Sequence, residues 1–294
     1  LDTPADLSAV DAYTPHVSEG VDAAAYNEFQ CLSGVGAGAT LVVTPKTAII
    51  HGLGLRAADL ATMATAGASL IWSPRSNLDL YGFTAPVTTA RRLGVRVALG
   101  TDWAANGSMN LLRELRCASE YSRLYLDGAL SERDLVDMVT RTAAEALHVE
   151  GQIGSLSPGL WADLVVFDAR VHRGYRAILE AEPPDVVLVM RGGQVMYGDE
   201  ALVAATAGTT GCELLDVCTR AKRVCLARDT GVTVSALGTA AGTTYPLFAC
   251  GIPIGEPACL PTRPGEFTGM SMVGDRDGDG RADASDLCPG VFDP

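Results

Sequence analysis

Thr47-Ala48-Ile49-Ile50-His51, an amphipathic segment over residues 55–66 closed by Gly67, and then Ala68-Ser69-Leu70-Ile71-Trp72 place an apolar run, a helix-period stretch and a second apolar run in direct succession. Runs that are apolar at nearly every position suit strands covered on both faces, and strands alternating with helices build a parallel sheet. Gly67 stands where a helix ends in the left-handed conformation that glycine adopts without strain. The same unit extends in both directions. Upstream, residues 11–19 lead into a helix over 22–32 with Gly34 behind it. Downstream, residues 68–73 lead into 86–93 with Gly94, residues 95–102 lead into 108–124, and 131–147 add a further helix. The pattern predicts β then α, four times, over residues 1–150, an α/β fold.

The composition suits such a core. Of 294 residues 48% are hydrophobic and 19% charged, which excludes a disordered chain. A net charge of −13 offers nucleic acid or an anionic membrane surface nothing to bind. The charge-free stretch from Thr230 to Gly255 is rich in Gly and Thr and carries Pro246 and Pro253, so no transmembrane span is expected. A small-molecule substrate is compatible with this charge, and nothing fixes the oligomeric state. The sequence opens at Leu1 with no basic-then-apolar leader, so any signal peptide is expected to have been removed or to lie outside it.

On a parallel α/β sheet chemistry gathers at the C-terminal ends of the strands. Those ends carry His16 with Glu19 just beyond, His51, the run Trp72-Ser73-Pro74-Arg75-Ser76-Asn77, and Gly100-Thr101-Asp102. Singly, each of these residues reads as a turn or cap. Jointly, two of the chain's four histidines and an aspartate at equivalent positions match the ligand types of a hydrolytic metal site, with Glu19 placed for proton transfer. Trp72, Arg75 and Asn77 are candidate substrate contacts at the same mouth. His148 reads as a helix-end residue and His172 as part of a surface loop. No Gly-rich phosphate loop follows the first strand, which argues against a nucleotide-binding doubly wound sheet.

At these residues the chain resembles the metal-dependent amidohydrolase superfamily, in the branch of cytosine and guanine deaminases and triazine hydrolases. His16-Val17-Ser18-Glu19-Gly20 resembles the fifth-strand His-x-x-Glu, Ile49-Ile50-His51-Gly52 the sixth-strand histidine, and Ser73-Pro74-Arg75-Ser76-Asn77 the segment after the seventh strand. Leu99-Gly100-Thr101-Asp102 resembles the eighth-strand aspartate, and the stretch from Ser108 to Leu115 the helix after it. The stretch from Gly154 to Val166 is similar to the family's exit into a small β-domain. The resemblance implies a TIM (β/α)8 barrel of which this chain supplies strands 5–8 only. It also implies a first-strand His-x-His pair, and no such pair occurs among His16, His51, His148 and His172. The chain is therefore expected to be a fragment of a longer product or a degenerate copy, with an incomplete metal site. Carried over residue by residue, His16 and Asp102 would bind one divalent transition metal, zinc or iron. Asp102 would also take a proton from the attacking water, Glu19 would protonate the leaving or ring nitrogen, and His51 would hydrogen-bond the tetrahedral oxygen. The implied reaction is hydrolysis of a C–N bond other than a peptide bond: deamination of an aminated heterocycle, or opening of a cyclic amide.

Beyond residue 150 the chain reads as two further pieces, a small β-domain segment over 151–204 and a Cys-rich, loop-rich tail over 205–294. Strands are expected at 162–167 and 186–190, with a turn at Gly192-Gly193 leading into Gln194-Val195-Met196-Tyr197. The edges of this sheet are expected to be exposed and prone to aggregation. Cys31 and Cys117 lie in apolar-periodic helices and read as reduced core residues. Cys212, Cys218, Cys225, Cys250, Cys259 and Cys288 read as a disulfide framework of unassigned connectivity, which places the protein outside the cytoplasm, as a secreted, periplasmic or cell-surface product. A zinc site needs tight Cys pairs, whereas the tail shows spacings such as Cys212 to Cys218 to Cys225, with no nearby histidine. Asp275, Asp277, Asp279, Asp283 and Asp286 place carboxylates at calcium-loop spacing with Gly280 at the sharp turn, and with Cys288-Pro289 the segment 275–288 resembles a thrombospondin type 3 repeat that binds Ca²⁺. A second reading follows: a non-catalytic calcium-binding surface protein whose barrel half is a relic.

Overall fold

The computed structural model describes residues 3–36, 38–207, 210–242, 246–261, 282 and 284–285. They fall into two compact units, one of residues 1–150 with the described residues from 256 on, the other Gly151–Gly255.

The first unit is built on a parallel sheet of β1 (His16–Val17), β2 (Ala48–His51), β3 (Ser69–Trp72) and β4 (Arg96–Leu99), paired in sequence order. In its register His16 stands beside Ile50, Ile50 beside Ile71, and Ile71 beside Ala98. The helices Ala23–Leu32, Ala57–Ala66, Val87–Arg92 and Leu111–Tyr125 come between or after the strands. Asp22 caps the first of them, accepting from the Ala25 amide at 2.9 Å, and Gly67 ends the second. The strand runs are apolar at most positions because both faces are covered. Ile49, Leu70, Trp72 and Val97 are buried on one side, and Ala48 and Ala98 on the other pack with Ala146, with Ile71 and Ala143 alongside. Three alanines at one contact let a helix approach the strands closely.

Two helical expectations change. The run after β3 forms a helix of its own, Pro74–Tyr81, with Pro74 in its first turn and Gly82 as its left-handed cap. The helix expected over 131–147 is two, Glu132–Met138 and Arg141–Ala146. Thr140, at φ −128° and ψ −99°, breaks it, and its hydroxyl donates back to the Val136 carbonyl at 2.7 Å.

The second unit holds an antiparallel sheet of β5 (Leu164–Phe167), β6 (Val186–Arg191), β7 (Gln194–Asp199), β8 (Glu213–Val217) and β9 (Arg220–Val224), in the order β5-β6-β7-β9-β8. Gly192 and Gly193, at φ 54° and 78°, make the tight turn between β6 and β7, which needs positive φ at both positions. β9 pairs with β7, Tyr197 beside Val224, so the β7 edge expected to be exposed is covered. Residues past 205 are thus not loop-rich at first: they supply two strands and the helices Leu226–Thr230 and Val234–Ala241. β9 reads poorly as a strand because three of its five residues are basic. Lys222 is nevertheless fully buried, its ammonium donating to the Val186 carbonyl at 2.8 Å and to Asp199 Oδ1.

One of three disulfides crosses the expected division. Cys212 pairs with Cys225 and Cys218 with Cys250, while Cys259 pairs with Cys117 of the helix Leu111–Tyr125. Cys117 is therefore buried but not reduced, and Cys31 is a free thiol at the surface, not in the core. Cys288 and the calcium-loop residues Asp275, Asp277, Asp279, Asp283 and Asp286 lie outside the described residues. Among the described residues no helix is long and apolar enough to cross a membrane.

Candidate metal centre

Three of the four strand ends finish in the same unusual way. Ser18, His51 and Asp102 have φ of 54°, 75° and 56°, a left-handed conformation that costs non-glycine residues of order 1–3 kcal/mol and persists where surrounding structure enforces it. Its effect is visible at His51. Alternation along β2 would turn this side chain away from the side of Ile50 and His16. The left-handed turn breaks the alternation, and the His51 and His16 rings lie 5.1 Å apart. After β4 the loop folds back, the Ser108 amide donating to the Thr101 carbonyl at 3.1 Å. Gly107 is required there, since a Cβ would sit 2.0 Å from the Thr101 carbonyl oxygen.

His16, His51 and Asp102 each present one donor atom within 4.8 Å of the others. Ligands about 2.1 Å from a common tetrahedral zinc lie roughly 3.4 Å apart, so these groups border one site without all three closing on a single ion. His51 Nε2 stands 3.5 Å from Glu19 Oε2 and 4.0 Å from Asp102 Oδ2. His16 is exposed, whereas His51 is buried. Burial holds the His51 imidazole below its usual pKa, against the pull of the Glu19 and Asp102 carboxylates, so the ring is neutral at neutral pH.

The helix Pro74–Tyr81 supplies the supporting groups. The Ser76 hydroxyl donates to Asp102 Oδ2, the Tyr81 hydroxyl to Glu19 Oε1 at 3.1 Å, and Asn77 Nδ2 lies 3.0 Å from His51 Nδ1. Burial, then the Glu19 charge, pushes the Tyr81 phenol up to about 12, so it stays a donor. A cavity of about 550 Å³ opens beside Glu19, lined also by Asp22, Glu28 and Tyr81. Ser76 and Tyr81 were absent from the sequence-derived set. Their signal is spacing on a helix that starts directly at the β3 end, whereas the sequence pattern places the next helix at 86–93.

Three expected substrate contacts are not available to a substrate. Trp72 and Asn77 are fully buried behind His51, and Arg75 is 5% exposed. Arg75 belongs to an ionic cluster instead: its guanidinium donates to Ser108 Oγ at 2.7 Å and to the Pro257 and Arg113 carbonyls, and pairs with Glu256 at 3.2 Å. Arg113 pairs with the same Glu256, its Nε 3.0 Å from Oε2. Glu114 Oε1 accepts the Arg75 amide, and burial pushes the Glu114 carboxyl up to about 7. His148, its Nε2 2.8 Å from the Pro45 carbonyl, is not among the converging donors, and His172 is exposed in a bend of the second unit.

Imidazole and carboxylate groups converging at the ends of parallel strands define a candidate centre of the metal-hydrolase class. The Amidohydrolase family profile matches residues 21–196, more than half of the sequence, and the chain belongs to that family. His16 and Glu19 lie just ahead of the matched span. Among curated relatives, the 5-methylthioadenosine/S-adenosylhomocysteine deaminase of Teredinibacter turnerae is 38% identical over 130 residues, covering 43% of this chain and 29% of that protein. The protein of the same name from Nitratidesulfovibrio vulgaris strain DP4 is 32% identical over 168 residues, 54% of this chain and 38% of its own. The chain thus spans well under half the length of these relatives. Of solved structures, a zinc-bound adenosine deaminase from Xanthomonas campestris aligns with a TM-score of 0.55 at 25% identity, over 63% of this chain and 45% of that one. The zinc complex of atrazine chlorohydrolase from Arthrobacter aurescens aligns with a TM-score of 0.52 at 24% identity, over 65% and 45%, a likeness of fold.

Proposed function

We propose that this chain carries part of the active site of a hydrolytic deaminase that replaces an amino group on a heterocycle with oxygen and releases ammonia. The observation that carries the reading is the convergence of His16, His51, Asp102 and Glu19 at the ends of three parallel strands. The relatives named as deaminases support the reaction type. In this reading β1 to β4 are strands five to eight of a (β/α)8 barrel.

The donor set fits a divalent ion, zinc or iron, with His16 and Asp102 as its holders. Such an ion, when bound, brings the pKa of water from 15.7 to about 7. The remaining chemistry belongs to the side chains. Asp102, oriented by the Ser76 hydroxyl, accepts the proton of the attacking water. Glu19 delivers a proton to the heterocycle or the departing amine, and the Tyr81 hydroxyl on its other oxygen keeps it turned toward His51. The His51 ring donates a hydrogen bond to the oxygen that gains charge.

The reading extends to the rest of the chain. Three disulfides, Cys117–Cys259, Cys212–Cys225 and Cys218–Cys250, support an extracytoplasmic site of action. The acidic spacing over 275–286 supports Ca²⁺ binding there. The relic reading retains one specific observation in its favour: His16 and Asp102 are two protein ligands, hydrolytic sites of this type use three or more, and the sequence holds no His-x-His. Ammonia release from an aminated purine nucleoside, measured with the complete gene product, decides between them. Turnover that disappears on chelation and in Asp102→Asn supports the deaminase. Calcium binding with no metal-dependent turnover on any aminated heterocycle replaces it with the relic.

A further inference from the structure

Behind His51, on the side away from Glu19 and Asp102, a file of three side chains runs into the core. Asn77 Nδ2 lies 3.0 Å from His51 Nδ1, Asn77 Oδ1 lies 3.1 Å from Thr84 Oγ1, and Thr84 Oγ1 lies 2.6 Å from Trp72 Nε1. All four residues are buried. Buried polar groups are satisfied by one another, so the direction of each bond is constrained by its neighbours.

The far end of the file sets that direction. An indole N–H only donates, so Thr84 Oγ1 accepts from Trp72. The single Thr84 hydroxyl proton is then available for Asn77 Oδ1. With its oxygen occupied as acceptor, the Asn77 amide faces the imidazole with nitrogen, which only donates, and His51 Nδ1 accepts. In a neutral ring the proton must then sit on Nε2, the atom that faces Glu19 and Asp102. Protonated there, the ring has no lone pair to give an ion, and it presents a donor to the space between the two carboxylates.

We propose that Trp72, Thr84 and Asn77 are positioning residues that lock His51 in its Nε2–H tautomer, making it a hydrogen-bond donor in the site and withholding it from metal ligation. This rests on the reading of the cluster as a metal-dependent deaminase centre. It sorts the three converging donors into two ligands, His16 and Asp102, and one group that acts on substrate. It also gives Trp72 and Asn77 work that their burial denied them as substrate contacts.

The tautomer is measurable without metal or substrate. In the 294-residue chain labelled with nitrogen-15 histidine, long-range proton–nitrogen correlation at neutral pH distinguishes a pyridine-type from a pyrrole-type nitrogen, and His51→Gln assigns the His51 signals by their loss. The expected result is a pyridine-type Nδ1 and a pyrrole-type Nε2. Asn77→Asp puts an acceptor where the amide nitrogen donates and is expected to invert the pattern. Thr84→Val, close in shape, leaves the amide free to turn and is expected to give a mixture. A protonated Nδ1 in the unaltered chain overturns the proposal, and so does the original pattern persisting in a folded Asn77→Asp chain. If that variant does not fold, an unchanged pattern in Thr84→Val overturns it equally. Ammonia release that fails while the tautomer is as expected counts against the functional reading alone. A wrong tautomer beside intact turnover counts against the positioning file alone.

Discussion

The helix Pro74–Tyr81 faces two clusters that are held together by opposite means. Toward the strand ends it sends Ser76, Asn77 and Tyr81, neutral groups that orient Asp102, His51 and Glu19 through hydrogen bonds. Toward the helix Leu111–Tyr125 it sends Arg75, which enters a cluster with Arg113 and Glu256 whose side chains are nearly closed to solvent. The Glu19 side chain keeps 30% of its surface, whereas Glu256 keeps 3%. The first cluster is open, strained in its backbone and formally rich in negative charge. The second is closed, charge-paired and tied down by Cys117–Cys259. The difference separates work from support: Glu19 keeps surface at the mouth and is oriented by a neutral donor, whereas the groups that fasten the chain are buried with their counter-charges.

Substitutions that spare one cluster and damage the other test this division. The largest expected effect is chemical. Glu19→Gln removes the proposed proton donor but keeps the shape and the Tyr81 contact, so in the complete gene product kcat is expected to fall by about 10²- to 10⁴-fold with little change in melting temperature. A matching loss of stability would mean that Glu19 is structural. Glu256→Gln should do the reverse, leaving Arg75 and Arg113 buried without their shared carboxylate. Urea denaturation is expected to show a loss of about 3–5 kcal/mol, with metal content unchanged. Arg141→Ala is its control, since Arg141 pairs with Asp137 and Glu145 on an exposed helix face, where such pairs contribute less than about 1 kcal/mol.

A further effect depends on pH. Burial raises the Glu114 carboxyl to about 7 in the folded chain, above its ordinary carboxylate value. The folded state therefore holds this proton after the unfolded state has released it, and stability falls as pH rises from about 4.5 to about 7. Glu114→Gln is expected to flatten that fall, by about 3 kcal/mol at most, in denaturation curves taken across the range. A stability profile that keeps its slope in the variant would assign the dependence to another group.

The parallel half of the fold was legible because its signals are local. Apolar runs covered on both faces and glycines such as Gly67 mark strands and helix ends within a few residues, and His16, Glu19, His51 and Asp102 stand where strands stop. What was hidden depends on partners distant in sequence. Arg220, Lys222 and Arg223 made β9 look like a solvated loop, because nothing local reveals that Asp199 and the Val186 carbonyl receive the Lys222 ammonium. Cys117 finds Cys259 across 142 residues, and spacing carries no record of that approach. Trp72 and Asn77 lay within a motif at the mouth, but whether they face substrate or core is settled by Thr84, which joins them from the loop after Gly82.

The central claim is that His16 and Asp102 hold one divalent ion beside a histidine that does not ligate it. Zinc bound per chain, measured by elemental analysis of the complete gene product and its variants, tests this most directly. One equivalent is expected in the unaltered protein and in His51→Gln, with its loss in His16→Ala and in Asp102→Ala. Zinc retained by both of the latter, or lost with His51 alone, would contradict the account.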